Sequence, residues 1–401
     1  MNSLSAARLD DAAPAGPPRA LPAWVYDNAA LTRLELERIL MPSWQIVCHA
    51  NSIPRAGDYV TFDLGPESVM VLRDRDGSIR AFHNVCRHRG ARLLDGAGNC
   101  PATITCPYHG WTYRHDGGLI GMPVRESFPG LDRAEHGLRV VRTDIAFGFV
   151  FVCLAPGTEF GAPPPVSETW GKLGGELAPY RCEEMVPLGP ITSEVWNVDW
   201  KIAMDNYLES YHVPVGHPGL NRMFTPDYED QATVPGVARG TSWLRGTRSS
   251  RWSEGLYQSL IGKAAGHLPE ELRRCWRFYS ALPNLGIDVF PDQMDFFQVL
   301  PAGPGRCIIR SAVFGLPRTG RERSGARELR AARYLSNRIN TSVNNEDKWL
   351  CERVQRGLAS SSYQPGPLSR LESYMLEFHD LLRARIPEFR SPAPPRHFTQ
   401  N

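Results

Sequence analysis

Cys86-Arg87-His88-Arg89-Gly90 and Cys106-Pro107-Tyr108-His109-Gly110-Trp111 carry two Cys/His pairs, with seventeen residues between His88 and Cys106. The order is C-x-H, then C-x-x-H. Two thiolates and two imidazoles in mixed pairs are the donors of a [2Fe–2S] cluster in which two Cys hold one iron and two His the other. A structural zinc site also uses two Cys and two His, but it orders them as a C-x2–4-C pair followed by an H-x3–5-H pair. Gly90, Pro107 and Gly110 mark each pair as a turn. Two such turns can bring four ligands around a cluster at the tip of a small β domain.

Working outward from these boxes, residues 30–41 read as a leading helix through Leu31, Leu34, Leu36, Ile39 and Leu40. Short β-branched and aromatic runs at 59–64, 69–73, 79–84, 104–106 and 147–153 alternate with turn residues, an all-β pattern. The Pro/Gly-rich segment 155–166 is the expected boundary. The chain is therefore read as a tail and leading helix (1–41), a cluster domain (42–156) and a second domain (157–401). In the second domain, 191–200 alternates like a strand and 200–211 reads as a helix. Strand-like runs follow at 285–290, 296–300 and 307–314, then helices at 325–357 and 371–386. Strands closed by a long helix predict an α+β fold, an antiparallel sheet around a helix.

A cluster alone only carries electrons, so the second half needs its own chemistry. Asp205-Asn206-Tyr207-Leu208-Glu209-Ser210-Tyr211-His212-Val213-Pro214-Val215-Gly216-His217 offers His212 and His217. Non-haem Fe(II) that activates O2 is held by two His and one carboxylate with positions left open. On a regular helix these two His stand about 140° apart. Pro214, Gly216 and Pro218 interrupt it and let the imidazoles converge.

The C-R-H-R-G and C-P-Y-H-G-W boxes, with N-Y-L-E-S-Y-H-x4-H, resemble those of Rieske non-haem iron oxygenases, the large (alpha) subunits of ring-hydroxylating dioxygenases and related monooxygenases. The resemblance implies an N-terminal Rieske [2Fe–2S] domain on Cys86, His88, Cys106 and His109, and a helix-grip catalytic domain with one mononuclear Fe(II) on His212 and His217. It implies Asp347 as third ligand, from the helix containing Glu346-Asp347…Glu352-Arg353-Val354-Gln355-Arg356-Gly357-Leu358; adjacent Glu346 points about 100° away, so only one of the two can ligate. Glu209, one turn before His212, takes the place of the acidic residue that joins an iron-ligating His to a Rieske-ligating His of a neighbouring subunit, with Asp205 in reserve. The family residue there is usually Asp, and Glu hints at the branch that includes quaternary-ammonium oxygenases.

The resemblance implies hydroxylation of a small organic substrate with O2 and externally supplied electrons. An aromatic, often carboxylated, compound is the first reading. A quaternary ammonium compound such as a betaine is the alternative, and an iron–sulfur electron carrier or sensor is the reading from another class. Candidate pocket residues are Met204, Tyr207, Leu208, Met223, Phe224, Ile287, Val289 and Phe290. The sequence lacks a G-x-G-x-x-G nucleotide loop, so a separate NAD(P)H-dependent reductase, with or without a ferredoxin, is expected. A bridge between subunits implies a homotrimer, with or without a small β subunit. A formal charge of +2 gives no reason to expect nucleic acid or an anionic membrane. Seven further cysteines without framework spacing, and an N-terminus without an apolar leader, point to a cytoplasmic protein with reduced thiols and no membrane span.

Overall fold

The computed structural model describes residues 18–154, 161–226, 228–317 and 326–398. The start of the expected boundary, 155–160, and most of the Ala/Pro-rich N-terminal stretch lie outside them. The leading helix runs Ala29–Glu35, capped by the Asn28 side chain on Ala30 N–H, and widens into a π-type turn over Leu36–Leu40. It buries Leu31, Leu36, Ile39 and Leu40, four of the five residues of the expected stripe, with Leu34 partly buried against the same core. It also buries Glu35, whose carboxylate accepts from Trp200 Nε1 at 2.8 Å and pairs with Lys201; Lys201 in turn lies 2.8 Å from Asp199. A fully buried ammonium between two carboxylates thus joins the first helix to the second half of the chain.

The cluster boxes sit among three small antiparallel sheets. One orders Gln45–His49, Phe149–Cys153 and Arg142–Ala146; the second orders Ile79–His83, Glu67–Arg73, Asp58–Leu64 and Ala97–Asn99; the third is Ile104–Thr105, Thr112–Tyr113 and Leu119–Gly121. Each expected strand is present within about two residues. The nine cysteines are all free thiols and eight are buried.

Beyond residue 183 an eight-stranded antiparallel sheet forms. Its order is Val186–Pro187, Cys307–Gly315, Met294–Pro301, Leu285–Val289, Cys275–Ala281, Val237–Trp243, Glu229–Val234, with Thr192–Trp196 also pairing on Cys307–Gly315. One face packs Tyr279, Ile287, Val289, Met294, Phe296 and Phe314 into a closed core. The other face is overlaid by the helix Ala326–Leu358, about 50 Å long. The molecule is an α+β protein with an N-terminal all-β part carrying the Cys/His boxes, followed by a second part, an antiparallel sheet and a long helix, the layout expected. The two are locked together by a buried polar network. Gln298 donates to Gln45 at 2.9 Å, Asn284 to Gln45 at 3.0 Å, and Arg310 to the Ile46 carbonyl at 3.0 Å. Such groups are tolerated inside a core because they satisfy one another. No helix among the described residues is long and apolar enough to cross a membrane.

Candidate functional site

The two Cys/His turns are built alike. Cys86 N–H donates to Ala91 O at 2.8 Å and Gly90 N–H returns to Cys86 O at 3.0 Å; Cys106 N–H donates to Trp111 O at 2.8 Å and Gly110 N–H returns to Cys106 O at 3.1 Å. Both glycines have φ of +74° and +70°, a region L side chains resist, so each turn needs its Gly. The turns bring the His88 and His109 rings to 4.7 Å, with His88 stacked on Trp111 at 4.9 Å. Burial, His109 and Arg89 all lower the His88 pKa, favouring the neutral imidazole that binds metal. His88 Nδ1 is buried without a hydrogen-bond partner, as an iron ligand's donor nitrogen must be. Tyr113 holds the first turn: its hydroxyl lies 3.3 Å from Cys86 Sγ and accepts from Arg87 N–H at 3.0 Å. Two thiols, two imidazoles and an orphaned nitrogen fit a mixed-ligand [2Fe–2S] cluster.

The second constellation starts where Trp200–Tyr207 ends as a helix, four residues short of the expected 211. Glu209 is the reason. Its Oε2 accepts from His212 N–H at 3.0 Å, turning the chain out of the helix, while Oε1 meets His212 Nδ1 at 2.6 Å. Glu209 therefore reaches His212 from a loop, not from one turn earlier on a helix. A short helix Val213–Gly216 follows, and the chain breaks at His217 (φ −120°, ψ 78°) before Pro218 opens the next helix; the residue before a proline avoids the helical region. This is the break that the sequence predicts, and it swings His217 Nε2 to 3.1 Å from His212 Nε2.

Asp347 arrives from the long helix. Its Oδ1 is 3.0 Å from His217 Nε2 and 3.6 Å from His212 Nε2, yet makes no hydrogen bond of normal geometry. The three donor atoms all lie within 4.8 Å of one another. On the far side of each ring, Nδ1 is held by a carboxylate: Glu209 for His212, and Glu346 for His217 at 2.8 Å. Carboxylates on Nδ1 fix the tautomer and leave both Nε2 lone pairs facing the shared point. Burial opposes charge on His212, but Asp347 and Glu209 outweigh it and push its pKa up to about 9. The site attracts positive charge. Two imidazoles and one carboxylate so arranged are a donor set for Fe(II). Glu346 is the functional residue that sequence reasoning set aside: the rotation that keeps it from the donor point carries it to His217 Nδ1.

Asp205 does not join this group. Its carboxylate accepts from Tyr26 OH and His379 Nε2, both at 2.8 Å, tying the catalytic helix to the first and last helical regions.

A cavity of about 480 Å³ opens beside the three donors, between the sheet and the long helix. Of the eight pocket candidates, Tyr207, Leu208, Phe224 and Phe290 line it. Met204 and Met223 lie in packed cores instead, and Ile287 and Val289 point into the core on the opposite sheet face. Strand alternation assigns the cavity side to Asp288 and Phe290. Gly286 makes room for this wall, since a Cβ there would strike Phe297 and the Tyr207 ring. Tyr207, so seated, donates to Asp288 Oδ1 at 2.7 Å. Burial raises the Asp288 pKa to about 7 and, with neighbouring Asp288 and Asp292, raises Asp295 as well.

Comparison with known proteins agrees with this geometry. Residues 43–136 match the Rieske [2Fe-2S] domain, and residues 183–388 match the ring hydroxylating alpha subunit (catalytic domain). The glycine betaine monooxygenase oxygenase subunit of Chromohalobacter salexigens is 31% identical over 390 residues, covering 90% of this chain and 84% of that one. The chloroplastic choline monooxygenase of Arabidopsis thaliana is 30% identical over 90% of this chain and 81% of its own. Among solved structures, a quaternary ammonium Rieske monooxygenase studied for carnitine oxidation superposes with a TM-score of 0.75 at 21% identity, over 92% of this chain and 96% of that one. The chain thus belongs to the ring-hydroxylating alpha subunits and is a Rieske non-haem iron oxygenase, with a Rieske cluster and a mononuclear iron as its cofactors.

Proposed function

We propose that this chain is the oxygenase component of a monooxygenase acting on a small quaternary ammonium compound. The observation that carries the proposal is the pair of relatives named for glycine betaine and choline, each 30% identical or more across nine-tenths of this chain. The aromatic substrate of the first sequence reading gains no such support. The cavity wall is compatible with a cation: Trp276, Phe278, Phe290 and Phe297 offer aromatic surface, and cations are attracted to ring faces.

In this reading Cys86, His88, Cys106 and His109 would hold the cluster, and His212, His217 and Asp347 would hold the iron. When bound, these groups supply single electrons and O2 activation, respectively. The protein's part is placement. Glu209 and Glu346 hold the two imidazoles by Nδ1 and so orient Nε2 toward the shared point, and the cavity seats an N-methyl carbon beside the donors and away from bulk water. The overall change is C–H + O2 + 2 e⁻ + 2 H⁺ → C–OH + H2O, and a hydroxymethyl on the quaternary nitrogen then loses its hydroxyl proton as the C–N bond breaks, giving formaldehyde, a tertiary amine and H⁺. Electrons come from a separate reductase. Tyr108 at the cluster tip is 58% exposed and Tyr211 beside Glu209 is 60% exposed. These two surfaces meet across neighbouring subunits of a trimer, where Glu209 links His212 to the neighbour's cluster.

The test is turnover of the reconstituted oxygenase with a surrogate reductase, NADH and ¹⁸O2. Glycine betaine, choline and carnitine are compared with benzoate and naphthalene. Labelled hydroxylated product or formaldehyde from the ammonium compounds alone supports the proposal. A labelled arene diol, with no reaction of the ammonium compounds, contradicts it.

A further inference from the structure

The cavity wall carries an electrostatic arrangement that the metal chemistry does not use. Asp288 and Asp295 are directly opposite each other on adjacent antiparallel strands, in a row that continues through Phe278 and Val313. Opposed residues on one face have their Cβ atoms about 5 Å apart, and like charges in that relation repel. Asp288 has only the Tyr207 hydroxyl as partner, and Asp295 makes no hydrogen bond or ion pair among the described residues. The other carboxylates lining the cavity are all engaged: Glu194 with Lys348, Glu209 with His212, Asp230 with Ser210, and Asp347 with the imidazoles.

Basic groups are missing from the same wall. Among the described residues the one Lys or Arg lining the cavity is Arg239, which ion-pairs with Glu176 and hydrogen bonds Gln231 from a strand position alternating with cavity-facing Ala238 and Gly240. A separate sign that a ligand completes this wall is Ser242. It is 1% exposed, lies on the cavity-facing side of its strand opposite Trp276, and its hydroxyl has no partner. A buried hydroxyl normally finds one.

Resting on the quaternary ammonium reading above, we propose that Asp288 and Asp295 together seat the ammonium group, flanked by Phe278 and Phe290, and that the substrate is a net cation without a carboxylate. A zwitterion would place its own carboxylate in a cavity with two carboxylates facing it and no free basic side chain to receive it. A choline-like amino alcohol fits, with a hydroxyl able to satisfy Ser242.

The experiment measures calorimetric affinity of the anaerobically purified oxygenase for choline, glycine betaine and the neutral isostere 3,3-dimethylbutan-1-ol. Wild type, Asp295→Asn and Asp288→Asn are compared. The expected result is that wild type binds choline at least about tenfold more tightly than betaine or the isostere. Asp295→Asn should lose about tenfold or more for choline and keep its affinity for the isostere. Retained isostere binding and an unchanged Rieske visible spectrum show that the variant is folded. Choline binding equal to wild type in both variants overturns the proposal, as does preference for betaine, and either leaves the quaternary ammonium reading standing. Absence of binding by every ammonium compound, with the isostere or an arene bound, overturns that reading as well.

Discussion

Removing Glu346 isolates a carboxylate that touches no metal yet positions a ligand. Its Oε2 holds His217 Nδ1 at 2.8 Å on a ring only 2% exposed, while its neighbour Asp347 supplies the donor oxygen. In Glu346→Ala the imidazole loses its tautomer lock, and Nδ1–H is left without its acceptor. Carboxylates in this role contribute about 10- to 100-fold to metal affinity, equivalent to about 1.4–2.8 kcal/mol. Fe(II) competition against a chelating dye, under anaerobic conditions, reads that loss. The cluster is an internal control, because its four donors lie on other loops, so the Rieske absorption per protomer should be unchanged. Glu346→Gln keeps an acceptor oxygen and should recover part of the affinity. If Glu346→Ala binds Fe(II) as tightly as wild type, the carboxylate does not position His217 and this account of the site's second carboxylate is wrong.

Three further predictions follow from buried groups. Tyr113→Phe removes the hydroxyl 3.3 Å from Cys86 Sγ; hydrogen bonds to cluster sulfur raise the potential, so a midpoint lower by about 40–60 mV is expected from ~1–1.4 kcal/mol in a one-electron couple, and an unchanged midpoint refutes it. His49 is fully buried, accepts from Asn51 N–H and faces the Cys182 carbonyl, with burial lowering its pKa to about 4. The folded protein keeps it neutral while the unfolded chain takes a proton near pH 6.5, so its stability is full above 6.5 and declines by about 3 kcal/mol toward pH 4. His49→Gln should flatten that decline in urea titrations, and an equally steep one counts against the assignment. Lys201→Met leaves Glu35 and Asp199 buried without their ammonium, so unfolding should be easier by about 3–5 kcal/mol; an unshifted urea midpoint contradicts this.

The cluster loops were legible because spacing alone dictates their chemistry: each Gly sits where the turn needs positive φ, and each Cys and His where the loop points inward. The long helix, read over 325–357, runs to Leu358 at its C-terminal end. The cavity was harder to read. Both faces of the central sheet are covered, one by packed core and the other by the cavity, so Leu285–Val289 lacks the polar alternation that would give its phase. Ile287 and Val289 therefore stand beside Phe290 among the sequence's pocket candidates, and Asp288, which does line the cavity, is passed over. Asp205 and Glu209 could not be separated either, because helical spacing assumes a helix that Glu209 itself ends. The domain division remains our proposal, resting on the proline-rich segment whose start lies outside the described residues.

The most direct test of the central claim is iron and acid-labile sulfide per protomer, measured on anaerobically purified wild type and His217→Ala with the EPR spectrum of the reduced cluster. The account predicts three irons to two sulfides in wild type. The variant should hold two irons to two sulfides with an unaltered Rieske signal and no turnover. Three irons retained in the variant would contradict the assignment of His217, and two irons in wild type after Fe(II) addition would contradict the mononuclear site itself.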